Sequence, residues 1–368
     1  MKRLLDDVVP AAPADPGFSS AVIGWQQQHG RHALPWQNTR DAYRIWLSEI
    51  MLQQTQVAAV IPYYQRFLQR FPDVATLAAA PSEDVMAHWS GLGYYTRARN
   101  LHRCAQRVVA EHGGAFPAAP ALLADLPGIG RSTAAAISAF AYGTRAAILD
   151  GNVKRVFARV FGVDGYPGQK RVEDQLWLRA AALLPETGIG AYTQGLMDLG
   201  ATLCTRRRPD CQRCPLMPRC VAFATDRVDE LPVRKPKKTA PEKSTAMLVI
   251  SDGSQVLLEQ RPNSGIWGGL LSLPEIPDPD DDGHEAALAM TVARFGVPAG
   301  VEALLPFTHV FTHFKLHVAP YRVALERRLD LAAEANHVWL DTAKIAEAAL
   351  PAPVKKLLLA VFQEGRLV

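Results

Sequence analysis

The stretch from Leu126 to Val153 constrains the fold of this chain more than any other. It opens with the motif LPGIG, which predicts a tight turn because Gly128 and Gly130 can adopt positive φ and let another backbone approach closely. The alanine-rich residues 132–141 predict a buried helix directly after that turn. Backbone N–H groups at such a helix N-terminus suit a phosphate, and a plain corner between two helices of an all-α protein is the alternative.

Length and composition limit the classes of protein to consider. With 368 residues the chain exceeds one typical core, and two domains are expected. A net charge of +4 says little about a nucleic-acid partner, so local clustering of charge matters more. No apolar run is long enough to predict a membrane span. Residues 1–17 hold three prolines and no apolar segment, which predicts a disordered leader rather than a secretory signal.

Four of the five cysteines are clustered, with spacings of six, two and five residues between them: Cys204, Cys211, Cys214 and Cys220. Four thiolates so close in sequence can surround one metal centre, which indicates an intracellular metalloprotein rather than a disulfide scaffold. Zinc and an iron–sulfur cluster both accept four thiolates, and the unequal spacings differ from the two paired CxxC units that zinc usually uses. Five arginines in the same loop predict phosphate contact.

Two carboxyl groups stand out for their local setting. Glu49 shares a helical face with Ile45 and Leu52, so it lies in an apolar stripe. Its carboxyl is either desolvated, with a raised pKa suited to proton donation, or reaches water from the edge of the stripe. Asp150 precedes an apolar helix and is expected to be its N-cap, where N–H donors would keep the carboxylate ionised.

Together these motifs resemble the helix-hairpin-helix glycosylases of DNA repair, and within them the MutY-type adenine glycosylases. The resemblance covers nearly the whole chain. It implies a multidomain protein with an all-α helix-hairpin-helix glycosylase domain carrying an iron–sulfur loop, followed by an α+β Nudix-like domain. In this family Glu49 would protonate adenine, Asp150 would be the catalytic aspartate, Asn152 would orient water or that carboxylate, and the four clustered cysteines would hold a [4Fe–4S] cluster.

The expected domain boundaries follow from the motifs and the resemblance. A catalytic domain is predicted over 18–225, including the hairpin 126–130 and the cysteine loop 204–220, with a basic proline-containing linker at 226–243. Strands at 247–250 and 256–261, joined at Asp252-Gly253, open a Nudix-like 8-oxoguanine-recognition domain over 244–368. The acidic pyrophosphatase signature of Nudix hydrolases is missing there, so this domain is expected to recognise a lesion without hydrolysing pyrophosphates.

The resemblance also implies three groups of binding residues. The adenine pocket would be formed by Arg31, Trp36, Gln194 and Asp198; DNA would be held by Gln54, Leu92, Tyr94, Gly128, Gly130 and Ser132; 8-oxoguanine would contact Phe311, Thr312 and His313. Each group has a structural alternative. Trp36 could simply be a core residue, and Gln194 and Asp198 could form a hydrogen bond within one helix. The segment with Leu92 and Tyr94 could be a plain connection between helices, and His313 could be a histidine of a strand. The arginines that follow Tyr94 favour a DNA-facing helix.

Ser132 separates the possible activities. Endonuclease III-type enzymes have a lysine at this point, whose amine opens a route to strand cleavage, whereas a serine predicts a monofunctional glycosylase that uses water. The predicted function is removal of adenine mispaired with 8-oxoguanine or guanine in double-stranded DNA, during base excision repair. The predicted protein is a cytoplasmic, nucleoid-associated monomer. The alternatives are an endonuclease III-type glycosylase/lyase for oxidised pyrimidines and a non-catalytic DNA-binding iron–sulfur protein.

Overall fold

The computed structural model describes residues 15–235, 241–262, 265–277, 284–311, 313–329 and 336–362. The chain divides into two compact units, Met1–Ala79 with Asn100–Lys237 and Ala80–Arg99 with Lys238–Val368. The predicted leader falls largely outside the described residues, and the first helix begins at Pro16, because Asp15 caps it by accepting a hydrogen bond from the Phe18 N–H at 3.1 Å. No helix within the described ranges is both long and apolar enough to cross a membrane.

The first unit is helical. The α-helices of the chain before the sheet are α1 Pro16–His29, α2 Ala42–Met51, α3 Val57–Arg70, α4 Val74–Ala79, α5 Ser82–Trp89, α6 Thr96–His112, α7 Pro120–Asp125, α8 Arg131–Tyr142, α9 Gly151–Val160, α10 Lys170–Ala182, α11 Ile189–Asp198 and α12 Val221–Ala224. Of these, α5 belongs to the second unit, and a π-helical turn Leu199–Leu203 continues α11. Pro62 lies inside α3 rather than ending a helix.

The predicted hairpin is formed by α7, the turn at 126–130, and α8. Alanines on α8 pack against α9 and α11 in one apolar core, which includes Ala135, Val156 and Leu196. Their small side chains let the helices approach closely, as expected for a buried helix. This core fixes the two ends of the segment that carries Asp150, because the segment connects α8 to α9.

The second unit contains an eight-stranded sheet. Its strands are β1 Glu242–Ser251, β2 Gln255–Gln260, β3 Leu271–Ser272, β4 Glu275–Pro277, β5 Gly296–Ala303, β6 Phe307–Val310, β7 Lys315–Arg328 and β8 His337–Asp341, with helices α13 His284–Ala293 and α14 Ala352–Phe362. The order along the sheet is β3-β2-β1-β7-β5, with β4 beside β1, β6 beside β7 and β8 beside β2. The parallel pairing of β1 with β7 makes this a mixed sheet.

The predicted hairpin at Asp252-Gly253 is confirmed. Strands β1 and β2 pair antiparallel, with Ser251 opposite Val256, and Gly253 adopts φ +95° in the turn between them. From Thr245 onward every residue of β1 is buried, which is typical of a central strand covered on both faces. Strands β6 and β7 pair antiparallel with Val310 opposite Lys315, so the connection that carries Phe311, His313 and Phe314 lies at the end of this strand pair.

Candidate active site

A cavity of about 290 Å³ in the first unit brings together four of the predicted site residues: Arg31, Trp36, Glu49 and Gln194. They come from three segments, namely the loop after α1, helix α2 and helix α11. The cavity is also lined by polar residues that the sequence interpretation missed: His32, Gln37, Asn38, Thr39 and Ser48. Most of them lie in the loop between α1 and α2, and the density of polar side chains in that loop is the signal that could have identified them.

Glu49 lies on α2, where it faces the cavity between buried neighbours. Burial raises the pKa of its carboxyl to about 8, and the nearby charge of Asp150 acts in the same direction. Among the described residues, no side chain or backbone group donates a hydrogen bond to this carboxyl. The Glu49 carboxyl therefore holds its proton at neutral pH, as a general acid must.

Asp150 is the N-cap of α9, as the sequence predicted. Its Oδ1 accepts a hydrogen bond from the Val153 N–H at 2.7 Å, and its Oδ2 accepts one from Asn152 Nδ2 at 3.3 Å. Burial raises the pKa of Asp150, whereas these hydrogen bonds and the charge of Arg155 act to lower it. Asp150 does not line the cavity, but it is close enough to raise the pKa of Glu49. The pKa of Asp150 is raised on balance, but donors stabilise its anion and no described group donates to Glu49, so between the two carboxyls a proton favours Glu49.

Contacts behind Asp150 hold this carboxylate in place. Asn152 Oδ1 accepts a hydrogen bond from Arg155 Nη2 at 2.8 Å, and Arg155 Nε donates to the Cys204 carbonyl at 2.7 Å. On the other side, Ser132 Oγ accepts a hydrogen bond from the Leu149 N–H at 3.0 Å. Ser132 thus anchors the residue before Asp150. Arg155 was not among the predicted site residues. Its role becomes visible only in the structure, because its partner Cys204 is far away in sequence.

The structure corrects the position of Asp198, which was expected to line the adenine pocket. Its side chain has no solvent exposure and does not line the cavity. Its oxygens accept hydrogen bonds from Arg31 N at 2.9 Å, Arg31 Nε at 2.7 Å and Gln194 Nε2 at 2.9 Å, and Arg31 Nη2 lies 2.6 Å from Oδ1. The Gln194–Asp198 hydrogen bond within α11 was the structural alternative. Asp198 therefore orients Arg31 and Gln194 at the cavity wall.

The two hairpin glycines differ, although both were expected to exploit positive φ. Gly128 does so, with φ +79°, and a Cβ there would lie 2.9 Å from the Asn100 Cβ. Gly130 is extended at φ −84°, ψ 168°, serves as the N-cap of α8, and has open space where a Cβ would be. The prediction of a positive φ at Gly130 is therefore wrong. The chain turns at Gly128, and helix α8 then needs only an extended residue as its N-cap.

The remaining predicted DNA-binding residues are unequally exposed. Gln54, after the end of α2, is exposed and adopts φ +57°, which is uncommon for a residue with a side chain. Tyr94, in the second unit, is 44 % exposed with φ +50°. Leu92, which was also expected to hold DNA, is buried, at 7 % exposure. Arg97 is also buried, contrary to the expected DNA-facing side, because it donates to the carbonyls of Leu92 and Gly93.

A cavity of about 570 Å³ in the second unit brings together Tyr94, Phe311 and His313. Thr312 lies outside the described residues. Trp267 and His309 also line this cavity, and their rings lie 5.6 Å and 4.6 Å from the ring of Phe311. Aromatic faces of this kind can stack on nucleobases. The sequence interpretation missed Trp267, whose φ of +54° marks an unusual backbone conformation.

The four clustered cysteines line one cavity in the first unit, beside Arg159 and apolar side chains of α9 and the π-helical turn. Burial raises the pKa of the Cys214 thiol to about 11, and the three other thiols act in the same direction. Within the described ranges, no group of three or more His, Cys, Asp or Glu side chains is arranged to hold a metal ion. The four thiols face one common space, and four thiolates are the donor set that an iron–sulfur cluster takes.

Comparisons with known proteins agree with this architecture. Residues 47–181 match the model of the HhH-GPD superfamily of base excision DNA repair proteins, and residues 245–360 match the NUDIX domain. A solved thermostable thymine-DNA glycosylase is 30% identical, with a TM-score of 0.52, over 56% of this chain and 95% of that chain. These features define a base excision repair glycosylase of the helix-hairpin-helix class that carries a Nudix-like domain. They are the helical hairpin, the buried Asp150 that follows it, and the sheet of the second unit.

Two curated relatives identify the family within that class. An adenine DNA glycosylase of Buchnera aphidicola subsp. Acyrthosiphon pisum is 35% identical over 343 residues, covering 93% of this chain and 96% of the relative. The human adenine DNA glycosylase is 34% identical over 401 residues, covering 92% of this chain and 73% of the relative. The chain therefore belongs to the adenine DNA glycosylase family.

Proposed function

We propose that this protein hydrolyses the N-glycosidic bond of adenine mispaired with 8-oxoguanine or guanine in double-stranded DNA. The observation that carries the proposal is a pair of neighbouring carboxyls, Glu49 in the wall of the first cavity and Asp150 outside that wall but close enough to raise the pKa of Glu49. Glu49 has a pKa of about 8 and faces the cavity, while the Asp150 carboxyl accepts hydrogen bonds that favour its anion and oppose the rise in pKa caused by burial. An acid and an anion held at different pKa values divide the work of cleaving a glycosidic bond.

In the proposed mechanism an extruded adenine enters the cavity between Trp36 and the polar groups of Arg31 and Gln194. Glu49 donates its proton to N7 of the base, so that neutral adenine departs. The cationic sugar that develops is stabilised by the Asp150 carboxylate, and water attacks C1′. Asn152 orients Asp150 through the hydrogen bond to Oδ2.

Water rather than an amine is the proposed nucleophile. Ser132 has no amine, and its hydroxyl accepts the Leu149 N–H. Lys154, the lysine nearest to Asp150 in sequence, is engaged with Glu173, whose Oε1 lies 2.6 Å from Lys154 Nζ. Both observations support a monofunctional glycosylase over an endonuclease III-type lyase. Borohydride trapping on abasic DNA tests this choice, because a lyase gives a covalent adduct and the proposed enzyme gives none.

We propose that Cys204, Cys211, Cys214 and Cys220 hold a [4Fe–4S] cluster. When bound, the cluster cross-links the loop 204–220, which follows the π-helical turn after α11. The same loop presents exposed arginines, including Arg213 at 75 % exposure, which suit contact with DNA phosphates. The hairpin at Gly128 and exposed Gln54 are further proposed DNA contacts.

The second unit is proposed to recognise 8-oxoguanine through its aromatic cavity, with Phe311, His313 and Tyr94 as contacts. In this proposal the cavity that contains Glu49 selects the base that is excised, and the aromatic cavity of the second unit selects the base opposite it. Replacing His313 with Ala should lower the preference for adenine opposite 8-oxoguanine over adenine opposite guanine, while single-turnover release from the A:G duplex continues.

The decisive experiment measures single-turnover base release from duplexes with adenine opposite 8-oxoguanine, guanine, cytosine or thymine. Release from the first two pairs is expected, and Glu49→Gln and Asp150→Asn should abolish most of it. Glu111→Gln, which removes an exposed carboxyl elsewhere in the first unit, is the matched control and should retain activity. Tight binding to the 8-oxoguanine duplex without release would instead indicate a non-catalytic DNA-binding protein.

A further inference from the structure

Arg159 is a buried arginine that forms no ion pair with a carboxylate of the described residues. It lies in the last turn of α9 and is only 3 % exposed. Within the described part of the chain, no Asp or Glu forms an ion pair with it. A guanidinium removed from water without a counter-ion costs several kcal/mol, so buried arginines are normally paired with anions.

The contacts of Arg159 direct its charge to the thiol cavity. Its Nη1 donates to Cys204 Sγ at 3.3 Å and to the Thr205 carbonyl at 2.8 Å, and its Nε donates to the Leu231 carbonyl at 2.8 Å. Its own carbonyl accepts a hydrogen bond from the Cys220 thiol at 3.5 Å. These contacts fix the orientation of the Arg159 guanidinium, with one N–H directed toward a cysteine sulfur.

We propose that Arg159 is the counter-ion of the iron–sulfur cluster, acting through a charge-assisted hydrogen bond to Cys204 Sγ. This inference depends on the cluster proposed above. Four thiolates around such a cluster leave it net negative, which supplies the missing anion for the guanidinium. Hydrogen bonds to the sulfurs and nearby charge set both the reduction potential and the stability of an iron–sulfur cluster. Arg159 is therefore a positioning and tuning residue for the cluster, distinct from the groups that would touch DNA.

The test compares three variants of the full-length, cluster-loaded protein. Arg159→Met removes the charge, Arg159→Lys keeps the charge without the fork of donors, and Arg213→Met removes an exposed arginine from the same cysteine loop. The readouts are the loss of the visible cluster absorbance in an iron chelator and the reduction potential measured by direct electrochemistry. Neither readout depends on base release.

We expect Arg159→Met to lose its cluster about tenfold faster than wild type, the size of effect that one charge-assisted hydrogen bond produces. Its potential should become more negative, because the reduced, more anionic cluster loses its stabilising cation. In both readouts Arg159→Lys should give values between those of Arg159→Met and wild type. Arg213→Met should match wild type, because solvent screens the charge of an exposed arginine.

Equal behaviour of Arg159→Met and Arg213→Met in both readouts would overturn the assignment. If Arg159→Met does not load iron, Arg159→Lys decides: loading of Arg159→Lys supports the role of the charge, and failure of both variants shows that a positive charge does not suffice, which overturns the counter-ion assignment. Iron and sulfide analysis of the wild-type protein separates the two proposals. If the wild-type protein contains no iron, the cluster proposal is wrong. If the wild type contains the cluster and Arg159→Met behaves like wild type, only the counter-ion proposal is wrong.

Discussion

Replacing Glu49 with Gln tests the central electrostatic argument, because it removes the acid and keeps the size of the side chain. Folding raises the pKa of Glu49 from 4.5 to about 8 through burial and the charge of Asp150. In the unfolded chain the same carboxyl titrates near its ordinary value. The folded protein therefore binds a proton that the unfolded chain has already lost at neutral pH, and this difference destabilises the folded state as the pH rises.

The magnitude follows from the two pKa values. Below pH 4.5 Glu49 is protonated in both states, so it carries no such cost; the cost grows between pH 4.5 and about 8 and is complete above that value. Each pH unit in this interval adds about 1.4 kcal/mol, which sets a ceiling of about 5 kcal/mol above pH 8 and about 3 kcal/mol at pH 7. Glu49→Gln cannot ionise and escapes this cost.

Urea unfolding followed by circular dichroism at pH 5 and pH 8 measures the effect. The variant should be clearly more stable than wild type at pH 8 and nearly equal to it at pH 5, while its base release is lost. Glu111→Gln is the control of opposite sign, because hydrogen bonds from Arg107 lower the pKa of Glu111 and its removal should not stabilise the protein at pH 8. A stability difference that is the same at both pH values would refute the argument, as would wild-type activity that keeps rising above pH 9.

Three further predictions follow from the site and the hairpin. Asp150→Asn should lower single-turnover adenine release about 10²–10³-fold, since the anion is lost but the N-cap geometry remains; retention of most of the rate would contradict the assigned role. Gly128→Ala should cost about 1–2 kcal/mol in urea unfolding and weaken DNA binding, because alanine at φ +79° is strained and its Cβ meets Asn100, whereas Gly130→Ala should cost less, because its Cβ has open space and only the N-cap preference for glycine is lost; equal effects would exclude this explanation. Asp198→Asn should destabilise the protein by about 1–3 kcal/mol and slow base release, because Arg31 loses its carboxylate, and unchanged release would show that Arg31 needs no anchor.

Several features could be predicted from the sequence because they depend on a few neighbouring residues. The N-cap role of Asp150 needs only the next three residues, the turn at Asp252-Gly253 needs only a residue that tolerates positive φ, and helix α8 follows from its alanines. The four cysteines are close in sequence, so their joint cavity was also predictable. Hydrogen bonds and φ preferences of this range are properties of the local chain.

The tertiary structure decided the features that involve distant segments. Arg31 and Asp198 are 167 positions apart, and their pairing removes Asp198 from the cavity that local reasoning assigned to it. Leu92 and Arg97 look like exposed functional residues in the sequence, yet both are buried. The sequence showed Glu49 in an apolar stripe, but the value of its pKa depends on α11, the loop after α1 and Asp150. Desolvation and charge pairing are set by whatever packs around a group, and local sequence does not contain that information.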